Sequence, residues 1–310
     1  MKIKVFNVFL CIFEIFFKMM NFLPIVFTCD DSYFKYTSVV IASLLTNQNK
    51  DCRYEINIIS EYISQENQKL AEQQISKFPN FSLKFITLEN FDADKFYLNS
   101  YMSVSTYYRF YIPQLFPQYE RILYLDSDLI VDADISELAS IDFEERLAIC
   151  SPSPFVIDKI KEGKDKVFTE TYFRNYLQMP DPLKYFNAGV MLYNLKKMNE
   201  INITEKLFGA LETIKEPLLQ DQDILNSVLS RNGGIKLISS KYNMTKSYRI
   251  TAKRIFLENM KEFFGLSKKE NWFYIYHYVG KDKPWMGKRI DGLLFEKYAK
   301  KSPFFKEIFS

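Results

Sequence analysis

Arg121-Ile122-Leu123-Tyr124-Leu125-Asp126-Ser127-Asp128-Leu129-Ile130-Val131 is an almost unbroken apolar run that stops at two carboxylates and then resumes. A run of that length without polar alternation reads as a strand buried on both faces of a parallel sheet. It predicts an α/β fold with Asp126 and Asp128 at the carboxyl end of a core strand, where an open α/β sheet keeps its ligand crevice. In extended chain, residues two apart point to the same side, so both carboxylates could reach one cation. Hard oxygen ligands suit Mg²⁺ or Mn²⁺, and such ions usually reach proteins together with substrate phosphates. Diphosphate chemistry is therefore one reading. The other is a solvated turn after a strand, because Asp and Ser are ordinary turn residues.

The 310 residues suffice for one large α/β domain or two smaller ones. A formal charge of +3 is too small to argue for nucleic acid as a partner. Cys11, Cys29, Cys52 and Cys150 lack the spacing of a zinc site or a disulfide framework, which fits a reducing compartment. There is one histidine, His277. Residues 1–20 begin like a signal peptide, but Glu14 and Lys18 interrupt the apolar stretch and no small-residue cleavage site follows. They read as an N-terminal extension, with Met19 or Met20 as an alternative start and a membrane-surface segment as a second option.

Further along, Leu23-Pro24-Ile25-Val26-Phe27 predicts a strand that runs into the polar loop Thr28-Cys29-Asp30-Asp31-Ser32-Tyr33 and then a helix. Asp30 could bind a base N–H and Tyr33 could stack on its ring, but Asp-Asp-Ser is also a plausible N-cap cluster, and alone favours the cap. Strands are expected at 56–59, 85–88 and 147–150, and a helix at 64–78 with Ser64 and Asn67 in its first turn. No Gly-x-Gly-x-x-Gly loop marks a conventional dinucleotide site.

Residues 105–113 read as a helix with Arg109 among aromatics. That arginine is first a surface charge lying over core rings, and second a planar donor aimed at a phosphate or carboxylate. Residues 151–182 show no clear period and read as a loop over a sheet edge that could hold an acceptor pocket or lid. In Phe186-Asn187-Ala188-Gly189-Val190, Gly189 would let a ligand approach the backbone and Asn187 offers an amide to sugar hydroxyls, the other reading being a strand-initiating turn. Gln220-Asp221-Gln222-Asp223 opens another helix, where acidic groups suit the macrodipole and could equally line a site. Finally, an aromatic strand carries His277 into a glycine turn with Gly280, Lys283 and Trp285, and the tail mixes lysines with aromatics. A lone histidine on such a strand is more often a packed core residue than a ligand, and Lys283 could be any surface lysine. The tail either packs as a terminal helix or lies on an anionic membrane surface.

The order and spacing of six blocks resemble the retaining glycosyltransferases of family 8, the group of bacterial lipopolysaccharide galactosyl- and glucosyltransferases and glycogenin. The blocks are Ile25-Val26-Phe27-Thr28-Cys29-Asp30-Asp31-Ser32-Tyr33, Ser105-Thr106-Tyr107-Tyr108-Arg109, Ile122-Leu123-Tyr124-Leu125-Asp126-Ser127-Asp128, Phe186-Asn187-Ala188-Gly189-Val190, Asp221-Gln222-Asp223-Ile224-Leu225-Asn226, and His277-Tyr278-Val279-Gly280 with Lys283-Pro284-Trp285.

The resemblance implies a GT-A fold, a Rossmann-like, mostly parallel sheet flanked by helices. It divides the chain into an extension at 1–21, a catalytic domain at 22–286 and a basic aromatic tail at 287–310. Asp126, Asp128 and His277 would hold Mn²⁺ or Mg²⁺ on the diphosphate of a UDP-hexose, with Ser127 beside them. Asp30 and Tyr33 would hold the uracil, and Gly280 and Lys283 the phosphates. Arg109 and Asn187 would contact the donor sugar or the neighbouring phosphate, and Asp221 and Gln222 would flank the sugar ring.

Retention then requires either a nucleophile on the opposite face or attack from the face of departure. By the resemblance Gln222 lies nearest that opposite face, but an amide is a poor nucleophile. Same-face attack is therefore the expectation, with Asp223 as the alternative nucleophile. Two positions depart from the galactosyl pattern. Ser32 replaces a frequent Asn, and Ser151 stands where relatives have an acidic residue that touches sugar hydroxyls, which leaves the donor open. A saccharide or glycolipid acceptor, and a cytoplasmic protein peripheral on the inner face of the membrane, complete the expectation. The rival readings are a non-catalytic sugar-nucleotide-binding protein, which would not need the complete set of Asp126, Asp128, His277 and Lys283, and a nucleotidyltransferase or phosphohydrolase.

Overall fold

The computed structural model describes residues 21–89, 103–245, 273–287 and 292–310, together with Leu257 and Met260. The expected N-terminal extension lies, except for Asn21, outside the described residues. The first half is a βαβαβ series: β1 (Asn21–Thr28), α1 (Phe34–Thr46), β2 (Cys52–Ser60), α2 (Gln65–Ile75) and β3 (Phe81–Thr87). Ile25, Val26 and Phe27 of β1 and Ile56, Ile58 and Ile59 of β2 are fully buried, as strands covered on both faces must be. The Ser64 hydroxyl accepts from Asn67 N at 3.3 Å and caps α2.

After β3 come a 3₁₀ helix (Val104–Tyr111), α3 (Ile112–Leu115), β4 (Arg121–Leu125), β5 (Leu129–Val131), β6 (Ala148–Pro152) and α4 (Pro154–Glu162). They are followed by β7 (Phe186–Asn194), α5 (Leu195–Glu200), α6 (Ile203–Ala210), α7 (Asp221–Arg231), β8 (Ile235–Leu237), β9 (Ile275–His277), α8 (Gly292–Ala299) and α9 (Phe305–Ile308).

The main sheet has the order β3-β2-β1-β4-β7-β6-β8. β3, β2, β1 and β4 run parallel, whereas β7 is antiparallel to both β4 and β6. β2 and β4 flank β1 on opposite sides, so the winding reverses at β1, and the carboxyl ends of the strands at such a reversal are where an open α/β sheet keeps its ligand crevice.

The central run is two strands and not one. After Leu125 the chain bends through Asp126, Ser127 and Asp128 and enters β5, which pairs with β9 in a separate two-stranded sheet. The apolar residues on both sides of the bend are buried, but in different sheets, and apolarity cannot tell one sheet from another. The segment expected as loop at 151–182 contains α4, which Pro154 starts and Gly163 ends at φ +62°, and a π-helical turn at Tyr172–Tyr176. Only Val156 of α4 is buried, so the helix has almost no periodicity to read.

Of the two readings of the tail, the described residues show packing. Phe295, Tyr298 and Ala299 of α8 are fully buried, and Asn47 Nδ2 donates to the Tyr298 hydroxyl at 2.7 Å. Among the described residues no helix is long and apolar enough to cross a membrane. Cys29, Cys52 and Cys150 are free and buried.

Candidate functional site

The site is built outward from the end of β4. Tyr124 directs its hydroxyl to Asp126 Oδ1 at 2.6 Å, and Arg109 Nη2 donates to the same oxygen at 2.8 Å. The Arg109 guanidinium lies 4.2 Å from the Tyr124 ring centroid. Its Nη1 donates to Ala188 O at 2.9 Å and its Nε to Thr106 O at 3.0 Å. Asp221 Oδ2 sits 3.1 Å from Nε, at ion-pair distance but without a hydrogen bond, because that N–H is directed at Thr106.

The surface reading of Arg109 is thus corrected. It does lie over a core ring, but it is only 4% exposed and serves two carboxylates. Its neighbours Tyr107, Tyr108 and Phe110 are buried too, and a helical segment buried all round leaves an arginine no route to solvent. Burial pushes the Asp221 carboxyl up to about 6, with Arg109 pulling it down and Asp126 adding to the rise.

With Asp126 Oδ1 occupied, its Oδ2 faces His277 Nε2 at 3.4 Å, and Asp128 Oδ1 faces the same nitrogen at 3.1 Å. The pairing of Leu129 with His277 across β5 and β9 brings the histidine there. One ligand atom from each of Asp126, Asp128 and His277 lies within 4.8 Å of the others. Gly189 makes room for them: a Cβ at that position would stand 2.2 Å from His277 Cε1 and 2.7 Å from Asp126 Oδ2.

Asp128 Oδ1 is buried and, apart from the His277 Nε2 that faces it, meets no hydrogen-bond donor among the described residues, a costly arrangement unless something else satisfies it. Two carboxylate oxygens and an imidazole nitrogen, one oxygen so orphaned, fit a divalent cation. Asp128 Oδ2 accepts from Lys283 Nζ, which also donates to Tyr278 O at 2.9 Å. Burial disfavours the charged form of Asp128, but Lys283 and His277 outweigh it and hold the carboxyl below its ordinary range. The turn that returns Lys283 to the site passes through Gly280 at φ +86°, a conformation that favours glycine.

The other expected residues are placed as follows. Asp30 Oδ1 accepts from Tyr33 N at 2.9 Å and Ser32 Oγ at 2.6 Å, and its Oδ2 from Ser103 Oγ at 3.2 Å. This closes a turn ahead of α1 and is not a cap, since the helix begins at Phe34 with no side-chain cap bond. Tyr33 meets Tyr36 and Trp285 edge-on, and Trp285 stacks on Tyr36 at 3.8 Å, tying the Lys283 turn to the β1 loop. Ser127 Oγ lies 2.7 Å from Thr37 Oγ1.

Gln222 Oε1 accepts from Ala188 N at 3.0 Å, and its Nε2 donates to the Tyr185 hydroxyl at 3.2 Å. Asp223 is fully buried and accepts from the hydroxyls of Tyr185 and Tyr172 and from Leu219 N. Ser151 donates to Ser239 O at 3.0 Å. Asn187 Oδ1 accepts from Gly189 N and from Asn243 Nδ2. Tyr124 and Asn243 escaped the sequence reading. Tyr124 resembled any strand aromatic, and Asn243 carries no motif.

Residues 24–288 match the family described as Glycosyl transferase family 8. The lipopolysaccharide 1,2-glucosyltransferase of Escherichia coli is 27% identical over 260 residues, covering 83% of this chain and 71% of that protein. The lipopolysaccharide 1,3-galactosyltransferase of Salmonella typhimurium is 26% identical over 274 residues, covering 84% and 72%. Among solved structures, the galactosyltransferase LgtC in complex with donor and acceptor sugar analogs superposes with a TM-score of 0.69. It is 23% identical, with 90% of this chain and 95% of that one covered, a likeness in fold. The architecture is the GT-A type, and a family match running from within β1 past the Lys283 turn makes the chain a member of glycosyl transferase family 8.

Proposed function

We propose that the chain moves a hexose from UDP-glucose or UDP-galactose to a saccharide acceptor, such as a lipopolysaccharide or another surface glycan, and forms an α linkage with retention. The observation that carries this reading is the convergence of Asp126, Asp128 and His277 beside the crevice, with Asp128 Oδ1 orphaned and Gly189 clearing the space. Bound by these three, Mn²⁺ or Mg²⁺ would neutralise charge on a departing diphosphate. Lys283 adds a second positive charge for the same leaving group. Asp30 and Tyr33 are assigned to the uracil, Arg109 and Asn187 to fixing the donor side, and Asp221 and Gln222 to the sugar ring.

Same-face attack, with the acceptor's proton passing to the departing phosphate oxygen, is favoured by two features. Gln222 is an amide tied to Ala188 N, and both Asp223 oxygens are already engaged. Asp223 is accordingly given a positioning part. The Ser151 hydroxyl is committed to a backbone carbonyl, so a galactosyl-type carboxylate contact is missing at this position and UDP-glucose remains as good a candidate as UDP-galactose.

The test is UDP release from a panel of UDP-sugars, with and without Mn²⁺, comparing wild type with Asp128→Asn. Mn²⁺-dependent release from one hexose donor, reduced about 100-fold or more in the variant, is expected. Undiminished release in the variant would contradict the assignment. Lys283→Ala separates the two roles of that lysine. Removing an ammonium that neutralises Asp128 should tighten Mn²⁺ binding to the nucleotide-free protein, while weakening UDP binding in the presence of Mn²⁺ by about tenfold or more. Calorimetric titrations that moved in the same direction in both cases would contradict this.

A further inference from the structure

We propose that Asn243, which is no ligand itself, decides which nitrogen of His277 meets the cation. The inference rests on the metal reading above, but its argument begins in the backbone. Gly189 N donates to Asn187 Oδ1 at 3.0 Å, which fixes the orientation of the Asn187 amide, since only its oxygen can accept. Asn243 directs Nδ2 to that same oxygen at 2.7 Å. Its own Oδ1 is thereby turned to His277 Nδ1, 2.9 Å away. An amide oxygen can only accept, so Nδ1 carries a proton. In a neutral imidazole this leaves Nε2 bare, and Nε2 is the nitrogen that faces Asp126 Oδ2 and Asp128 Oδ1.

The histidine end of the relay is enclosed, with His277 and Asn243 both buried. Asn243 is 0% exposed and follows the 3₁₀ turn Ser240–Tyr242. The next residue is laced to β9, with Met244 N donating to Ile275 O at 2.9 Å and His277 N donating to Met244 O at 3.0 Å. Backbone and side chain of the 243–244 pair thus hold the backbone and ring of His277. The relay starts at Gly189, the residue whose missing side chain gives the ring its space. One short piece of β7 therefore sets both the position of the imidazole and, through two amides, its tautomer. Partners of this kind orient a ligand histidine, and their loss typically lowers metal affinity about 10–100-fold.

Because the chain has a single histidine, protein labelled with ¹⁵N-histidine reports on His277 alone. Spectra would be taken with and without Mg²⁺ and UDP, alongside Mn²⁺ titrations of wild type, Asn243→Leu and Asn243→Asp, with thermal unfolding of each as a check on folding. Wild type should show an Nδ1–H resonance slow to exchange and an unprotonated Nε2 when loaded. Asn243→Leu should lose that protection and bind Mn²⁺ about 10–100-fold more weakly. Asn243→Asp keeps an acceptor for Nδ1 but loses the donor to Asn187 Oδ1, so it should keep the Nδ1–H resonance that the leucine variant loses, with Mn²⁺ affinity between that of the leucine variant and wild type, a rescue that a merely structural role would not give.

A loaded wild type with its proton on Nε2 would overturn the proposal. So would an aspartate variant that loses the Nδ1–H resonance as the leucine one does, or a leucine variant with wild-type spectrum and affinity. If wild type bound no Mn²⁺, the metal reading and with it the relay's purpose would fall, while the Nδ1–H resonance of the metal-free protein would show whether the hydrogen bond itself exists.

Discussion

Arg109→Met is expected to lower the stability of the protein by about 3–5 kcal/mol, the usual cost of breaking a buried ion pair from one side. The arginine is 4% exposed and lies between Asp126 and Asp221, the latter 2% exposed. Without it, a buried carboxylate, Asp221, and a half-buried one, Asp126, are left with no cation between them. Asp221, already pushed up to about 6 by burial, would rise further and take a proton at neutral pH, which relieves part of the cost. Asp126 would keep only the Tyr124 hydroxyl on Oδ1 and would lose the donor that holds its other oxygen toward His277. Activity should therefore fall more than stability alone explains. Arg109→Lys should restore little, because one ammonium cannot replace a planar fork that reaches Thr106 O, Ala188 O and Asp126 while lying on the Tyr124 ring. Urea unfolding of the three proteins, read beside UDP release, decides it. A methionine variant within 1 kcal/mol of wild type, a margin typical of surface changes, would show that the carboxylates find other partners.

What the sequence made legible was chemistry near the ends of strands, and what it hid was contact between distant segments. The alternation of apolar runs with polar loops was enough for a doubly wound sheet, because two-faced burial leaves its mark on most residues of β1, β2 and β4. The same mark hid the division at Asp126, since Leu125 and Leu129 are equally buried in different sheets. His277 stood out by being alone. Asn243, which orients it from 34 positions away, did not, for a buried asparagine has no pattern of its own. Gly189 was read as a place of close approach, and it is one. The group described as approaching is the His277 ring, however, which only the β5–β9 pairing brings there. The surface reading of Arg109 failed for a related reason, because the carboxylates that stabilise its burial come from the end of β4 and from α7 and are invisible from within its own helix, while the alternative of a planar donor to a carboxylate held.

Gly189→Ala should leave the sheet standing and disable the centre. The backbone at Gly189 is not in the left-handed region, so a side chain meets no conformational objection. The objection is space. The new methyl group would lie 2.2 Å from His277 Cε1, 2.7 Å from its Nδ1 and 2.7 Å from Asp126 Oδ2, well inside any contact that real atoms adopt, so something must move. The ring is poorly free to do so, being held on one side by Asn243 and along its backbone by β5 and Met244. Asp126 is fixed by Arg109 and Tyr124 through its other oxygen. Overpacking of this kind costs about 1–3 kcal/mol of stability, which a domain with so extensive a core can absorb. A ligand set, by contrast, tolerates only about 0.5 Å of displacement. Mn²⁺ affinity should therefore fall about 100-fold or more, equivalent to roughly 3 kcal/mol, and metal-dependent UDP release should fall with it. Manganese titration followed by electron paramagnetic resonance, with circular dichroism to confirm the fold, separates the two effects. An alanine variant that binds Mn²⁺ within a few-fold of wild type would mean that the ring slides aside without cost, and the tight packing of β7 against His277 would then not be what sets the geometry of the centre.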